Sequence, residues 1–181
     1  THLGHSFPTR RSSDLTERAI HHLIEDQVQR TPDAPALVFG HTTLTYAQLE
    51  ARANQLAHAL REQQVGPDVL VGVCVERSVE MVVGLLAILK AGGAYVPLDP
   101  EYPRERLAYM IEDSGVRLLL SQQSLLPLLP VEGLQVIALD QAAQWLDGYS
   151  RAAPAVPIHA LNLAYVIYTS GSTGQDRKSV V

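Results

Sequence analysis

Near the end of the chain, residues 163–174 read Leu-Ala-Tyr-Val-Ile-Tyr-Thr-Ser-Gly-Ser-Thr-Gly. The first half is apolar, with β-branched and aromatic side chains, and predicts a buried strand. The second half holds only hydroxyl side chains and glycines, and predicts a loop that leaves this strand. Glycine lets the backbone come close to an anion, because it adopts positive φ angles without steric cost. Open α/β sheets bind their ligands where such loops follow strands, so the stretch indicates a phosphate-binding loop.

The candidate binding residues are those that could direct N–H and O–H donors at phosphate. They are Thr169, Ser170, Gly171, Ser172, Thr173 and Gly174. Their spacing is not that of the Walker loop, which has four residues between its glycines and a lysine after the second. A flexible serine and glycine linker is the alternative interpretation.

Two earlier stretches have plain structural interpretations. Residues 44–49 read Leu-Thr-Tyr-Ala-Gln-Leu, in which Thr45 and Gln48 predict the capping box of a helix. Residues 89–99 read Leu-Lys-Ala-Gly-Gly-Ala-Tyr-Val-Pro-Leu-Asp, which predicts a helix end, a glycine cap and the start of a strand. Lys90 then falls in the last helical turn, where its charge complements the helix dipole.

The three stretches resemble core motifs of the adenylate-forming enzymes, the superfamily of acyl-CoA synthetases, luciferases and the adenylation domains of nonribosomal peptide synthetases. They also follow one another along the chain in the order that the superfamily shows. Residues 168–174 are similar to its nucleotide-binding loop. Residues 44–49 and 89–99 are similar to the first and second motifs of the peptide-synthetase domains. The resemblance covers residues 16–175 and implies an α/β fold, the N-terminal part of the adenylate-forming core.

The resemblance implies that a carboxylate attacks the α-phosphate of Mg²⁺-bound ATP, releasing pyrophosphate, and that a thiol then takes the acyl group. Residues 169–174 would hold the β- and γ-phosphates. The run at residues 92–100 is similar to amino-acid-activating domains of secondary metabolism. It implies an amino acid substrate, a phosphopantetheine thiol on a downstream carrier domain, and a condensation domain in the same synthetase. A fragment of an acyl-CoA synthetase and a non-catalytic α/β binding module are the alternatives.

The resemblance ends after Gln175. The superfamily continues with Pro-Lys-Gly, whereas Asp-Arg-Lys-Ser follows here, so neither Arg177 nor Lys178 is assigned the role of the superfamily's lysine. The amino acid pocket, the adenine contacts and the C-terminal lid would lie further downstream. We therefore expect this chain to contain no catalytic residue and no metal ligand. We also expect it to show no amino-acid-dependent pyrophosphate exchange on its own.

Composition argues against several functions. The net charge is −5 and the basic residues are scattered, so nucleic acid is not an expected partner. No apolar run reaches the length of about 18 residues that predicts a membrane span, which makes a cytoplasmic location the default expectation. The one cysteine, Cys74, lies in an apolar run and is interpreted as a small buried hydrophobe. The histidines show no zinc-ligand spacing.

Strand and helix patterns alternate from residue 69 onward, which predicts βαβ units with a largely parallel sheet flanked by helices. A helix is predicted over residues 16–30, with Ile20, Leu23, Ile24 and Val28 facing inward. A hairpin is predicted at residues 36–45. Residues 141–159 show no period, and Trp145 is expected to pack beneath them.

Both ends resemble a translated sequencing adapter. Residues 5–15 read His-Ser-Phe-Pro-Thr-Arg-Arg-Ser-Ser-Asp-Leu, and the reverse complement of that oligonucleotide encodes the final Asp-Arg-Lys-Ser-Val-Val. We expect residues 1–15 and 176–181 to be non-native tails with few tertiary contacts, and residues 16–175 to be a partial adenylation domain. A native basic N-terminal arm is the alternative.

Sequencing the source locus tests this expectation. The natural reading frame should replace both tails, whereas genomic DNA that encodes residues 5–15 would contradict the adapter interpretation.

Overall fold

The computed structural model describes residues 18–170 and 176–180. Its centre is a four-stranded parallel sheet in the order β4-β3-β5-β6. These strands are β3 (Leu70–Val73), β4 (Ala94–Pro97), β5 (Leu118–Ser121) and β6 (Gln135–Ala138). The alternation of strands and helices therefore predicted the fold class correctly.

The remaining elements precede, connect and follow these strands. The helices are α1 (Ile20–Arg30), α2 (Tyr46–Glu62), α3 (Val79–Lys90), α4 (Arg104–Ser114) and the short α5 (Ala143–Leu146). The hairpin consists of β1 (Pro35–Phe39) and β2 (Thr42–Thr45), and the last two strands are β7 (Val166–Ser170) and β8 (Asp176–Val180). None of the helices in the described ranges is long and apolar enough to cross a membrane.

Helices cover both faces of the parallel sheet. Helices α2 and α3 pack on one face against Val71, Leu118 and Leu120. Helix α4 packs on the other face through Leu107 and Met110. In the sheet order, the connection from β3 to β4 and the connection from β4 to β5 run in opposite directions. Because parallel crossovers are right-handed, these two connections must cross opposite faces of the sheet.

The motif at residues 44–49 has the structural role predicted for it. The Thr45 hydroxyl accepts from the Gln48 backbone N–H at 3.2 Å, and the Gln48 side chain accepts from the Thr45 N–H at 2.9 Å. This capping box satisfies two donors at the start of α2 that have no helical partner.

In the motif at residues 89–99, the two adjacent positions 92 and 93 require glycine for different structural reasons. Gly92 has a φ of +93°, which a residue with a Cβ rarely adopts. A Cβ on Gly93 would lie 2.8 Å from Val65 Cγ1 and 3.0 Å from the Val69 carbonyl oxygen. The pair therefore lets the chain leave α3 and enter β4 against the backbone that leads into β3.

Helix α1 is rotated relative to the prediction. Ile20 is 55% exposed and Leu23 is also exposed, whereas His21 is buried and Ile24 packs on the core. Burial lowers the pKa of His21 to about 4, with a smaller contribution from His22, so the ring is neutral at pH 7. Glu25, the residue after Ile24, also faces the core side of the helix.

Glu25 pairs with the buried ammonium group of Lys90. The Lys90 Nζ donates to Glu25 Oε1 at 2.5 Å and to Glu50 Oε1 at 2.7 Å, while the residue is only 2% exposed. This ion cluster ties α1 and α2 to the end of α3. The Lys90–Glu25 contact joins residues 65 positions apart, so Glu25 faces the core side of α1 while Ile20 and Leu23 face outward.

Two further expectations are corrected. Trp145 does not pack beneath the segment at residues 141–159: it is 38% exposed and meets Tyr149 edge to face, while Leu146 of α5 is buried instead. Residues 176–180 form β8, which pairs antiparallel with β7, so this tail is not free of contacts. An exposed edge of β7 offers unpaired backbone groups to any extended segment that follows. Residues 1–15 lie outside the described residues.

We predict that Lys90→Ala lowers the free energy of unfolding by about 3–5 kcal/mol, the usual effect of removing one partner of a buried ion pair. Glu50 Oε2 is already buried without a hydrogen-bond partner in the described part of the chain, so the variant would leave this carboxylate uncompensated. Urea unfolding of the chain measures the change.

Glu132→Ala is the control, because its pair with Arg104 is largely exposed, at 76% and 49% for the two side chains. Such pairs contribute about 0–1 kcal/mol. Equal destabilisation by both variants would contradict a structural role for the ion cluster.

Candidate functional site

The carboxyl ends of three strands meet at one edge of the molecule. Strand β7 runs parallel to β4, joined by a backbone bridge between Tyr95 and Tyr165, and β3 lies on the other side of β4. The connection after β3 turns to the face of α3, and the connection after β4 turns to the face of α4. Such diverging connections open a crevice at the carboxyl edge of a parallel sheet.

A cleft of about 820 Å³ occupies this position. Residues that follow β3, residues that follow β4 and the end of β7 line it, among them Glu76, Arg77, Asp99, Ile167 and Tyr168. A smaller cavity of about 370 Å³ lies between α2 and the segment around α5, away from the strand ends. We place the candidate site in the larger cleft, because the predicted loop begins there.

The charge of the cleft does not favour an anion. Among the described residues, its charged lining consists of Glu76, Asp99, Glu101 and Arg77, three carboxylates against one guanidinium group. One carboxylate has a structural role, since Asp99 Oδ1 accepts from the Glu101 N–H at 2.9 Å. Phosphate bound here would therefore depend on neutral N–H and O–H donors.

The predicted binding residues are only partly within the described chain. Thr169 and Ser170 form the end of β7 and pair with Arg177 and Asp176, so they are strand and not loop as predicted. A β-branched residue such as Thr169 suits a strand, and the pairing with β8 extends β7 over both positions. Residues 171–174 lie outside the described residues. The structure thus places two candidates at the carboxyl edge.

The two ends of β7 are held differently. At the amino end, Asp68 Oδ1 accepts from the Leu163 N–H at 2.8 Å, and the Tyr95 N–H donates to the Ala164 carbonyl oxygen at 3.1 Å. At the carboxyl end, the Tyr168 hydroxyl donates to Asp113 Oδ2 at 2.5 Å. The ring of Tyr168 is 7% exposed and packs among the side chains that α4 buries.

The contact between Tyr168 and Asp113 is not predicted by sequence reasoning, which assigns Tyr168 to an apolar strand and Asp113 to the end of a helix. A tyrosine at a buried strand position is a usable signal, because its hydroxyl needs a hydrogen-bond partner when the ring is buried. The sequence does not say which acceptor that is.

Cys74 is confirmed as a small buried side chain with no accessible surface. Burial raises the pKa of its thiol to about 12, and the nearby Asp99 carboxylate adds to the effect. The thiol therefore stays protonated at neutral pH and is a poor nucleophile.

Comparison with known protein families identifies the group of proteins to which this arrangement belongs. The model of the AMP-binding enzyme family matches residues 24–180. The chain belongs to this family.

Relatives and solved structures agree with this membership. The chain is 51% identical over 162 residues to tyrocidine synthase 3 from Brevibacillus parabrevis, a match that covers 89% of this chain and 2% of that protein. Among solved structures, the nonribosomal peptide synthetase FmoA3 bound to alpha-methyl-L-serine-AMP is 34% identical with a TM-score of 0.83. That match covers 92% of this chain and 18% of FmoA3.

The N-terminal subdomain of NpsA from Klebsiella oxytoca has the same fold. It superimposes with a TM-score of 0.80 at 24% identity, covering 95% of this chain and 43% of the subdomain. The α/β fold is therefore that of the N-terminal subdomain of adenylation proteins, and the chain spans a small part of the synthetases it resembles.

Proposed function

We propose that this chain is part of an adenylation domain of a nonribosomal peptide synthetase. The domain activates an amino acid with ATP, forming an aminoacyl adenylate and pyrophosphate. It then transfers the aminoacyl group to the phosphopantetheine thiol of a carrier domain, and a condensation domain of the same synthetase uses the product. The single observation that carries the proposal is the glycine and hydroxyl segment that follows β7 at the carboxyl edge of a sheet in an AMP-binding family member.

The peptide-synthetase subclass is favoured by the relatives. The similar proteins named above are a tyrocidine synthase and the peptide synthetase FmoA3, and the latter holds an aminoacyl adenylate, alpha-methyl-L-serine-AMP. The run at residues 92–100 agrees with this subclass. An acyl-CoA synthetase and a non-catalytic binding module are not favoured by these relatives.

Residues 169–174 would hold the phosphates of ATP. The first of them lies at the carboxyl end of β7 with its side chain exposed, on the edge of the molecule at which the cleft opens. The described residues that line the cleft carry no excess of positive charge, so preorganised neutral donors would have to stabilise the charge that develops on the departing pyrophosphate.

Magnesium would accompany the ATP. Within residues 18–170 and 176–180, no group of three His, Cys, Asp or Glu side chains is placed to hold a metal ion. Mg²⁺ at nucleotide sites is commonly held by substrate phosphates with one or two carboxylates, which fits a metal that arrives with the nucleotide. Bound there, it would neutralise charge on the phosphates.

The loop is tested in a domain extended with its natural downstream sequence. We predict that Thr173→Ala lowers the rate of amino-acid-dependent ATP–pyrophosphate exchange roughly 10²- to 10³-fold, as when an oxyanion donor is lost. Gly171→Val should reduce the rate at least as much, because a β-branched residue resists positive φ and obstructs the phosphate. Exchange with a panel of amino acids provides the measurement.

Ser124→Ala is the matched control, since Ser124 is an exposed hydroxyl in a turn and does not line the cleft. Circular dichroism should show all three variants folded. Wild-type exchange rates in both loop variants would mean that residues 169–174 are a linker.

A further inference from the structure

The carboxyl end of β7 is attached to the sheet by a side chain and not by a ladder of backbone bonds. Within the described residues, the bridge between Tyr95 and Tyr165 is the one parallel pairing of β7 with β4, and it lies at the start of the strand. The strand after this bridge pairs only with β8 on its other side. Its direction relative to the cleft therefore needs another restraint.

Helix α4 supplies this restraint through two residues on its last turns. Asp113 accepts the hydrogen bond from the Tyr168 hydroxyl, and the Tyr109 ring meets the Tyr168 ring edge to face, with centroids 6.5 Å apart. Gly115 has a φ of +70° and ends the helix directly after Ser114, so Asp113 lies in the last turn of α4.

The restraint acts close to the candidate loop. Successive residues of a strand advance by about 3.3 Å, so Ser170 lies within about 7 Å of Tyr168 along the chain. A small rotation of the tyrosine would therefore redirect the backbone that enters residues 171–174. Catalysis is sensitive to such shifts, since a misplacement of about 1 Å can reduce a rate about 10²-fold.

We propose that Asp113 is a positioning residue: its carboxylate holds Tyr168 and thereby fixes the end of β7 from which the phosphate-binding segment departs. This inference rests on the proposed function of that segment. Asp113 touches neither substrate nor nucleotide in this scheme and acts only through Tyr168.

The protonation state of the pair is suited to this role. Burial raises the pKa of the Tyr168 phenol above its usual range, and the hydrogen bond to Asp113 raises it further. The hydroxyl is therefore a donor throughout the neutral range, and the exposed Asp113 carboxylate is its acceptor.

The first test measures the strand end in the 181-residue chain. In Asp113→Ala, amide hydrogen exchange at residues 168–170 should accelerate about tenfold, the effect expected from the loss of a hydrogen bond to a charged group. Asp113→Asn keeps an acceptor oxygen and should restore most of the protection. Glu112→Ala, the exposed neighbour on the same helix, is the control and should leave exchange unchanged, as should β5 in every variant.

The second test measures the reaction in the domain extended with its natural downstream sequence. Asp113→Ala should lower kcat of pyrophosphate exchange about tenfold with the KM for the amino acid unchanged, and Asp113→Asn should recover most of the rate. Because a smaller folded fraction would also lower the apparent kcat at unchanged KM, the rates are normalised to the folded fraction measured by circular dichroism at the assay temperature.

Unchanged amide exchange in Asp113→Ala overturns the inference. Faster amide exchange combined with wild-type kcat overturns it as well, because the strand end would then move without effect on the reaction. If the extended wild-type domain exchanges pyrophosphate with no amino acid, the proposed function fails, and the amide measurement still decides whether Asp113 fixes β7.

Discussion

The handedness of parallel crossovers is the constraint from which the rest of the molecule follows. Strand β3 lies between β4 and β5, and the chain reaches these two neighbours in opposite directions. Right-handed connections then have to use opposite faces, which buries β3 on both sides and separates the connections at its carboxyl end. The cleft is the space between them. Its location is therefore a property of topology, while its lining is a property of the particular side chains.

Much of the fold could be predicted because its signals are local. The capping box at Thr45 and the glycine cap after α3 each depend on residues within one or two helical turns. The predictions that were wrong involve contacts between separate elements. Glu25 of α1 contacts Lys90, 65 residues further along the chain, and Thr169 pairs with Arg177 of β8. The apolar periodicity of a single segment does not predict such contacts.

The candidate site shows the same division. The hydroxyl and glycine composition of residues 169–174 suggested phosphate, and the topology places the beginning of this segment at the cleft. The acidic lining could not be predicted, because Glu76 and Asp99 follow different strands and meet only in the folded chain. The sequence also did not predict that Asp113, 55 residues earlier, accepts the hydrogen bond from the Tyr168 hydroxyl. The composition of a segment indicates a type of ligand. The charges that surround the segment and the contacts that hold it in place are defined only in the folded chain.

The attachment of β7 beside β4 has a consequence for biosynthesis. During translation, β4 can pair with β3 and β5 can follow, but the outer edge of β4 stays uncovered until the ribosome has released the residues up to β7. At about 5–20 residues per second this interval lasts on the order of seconds, during which an open strand edge can recruit another chain. Strand β4 is only four residues long and ends in Pro97, which has no N–H to donate. A short edge that ends in proline limits premature pairing until β7 has been synthesised.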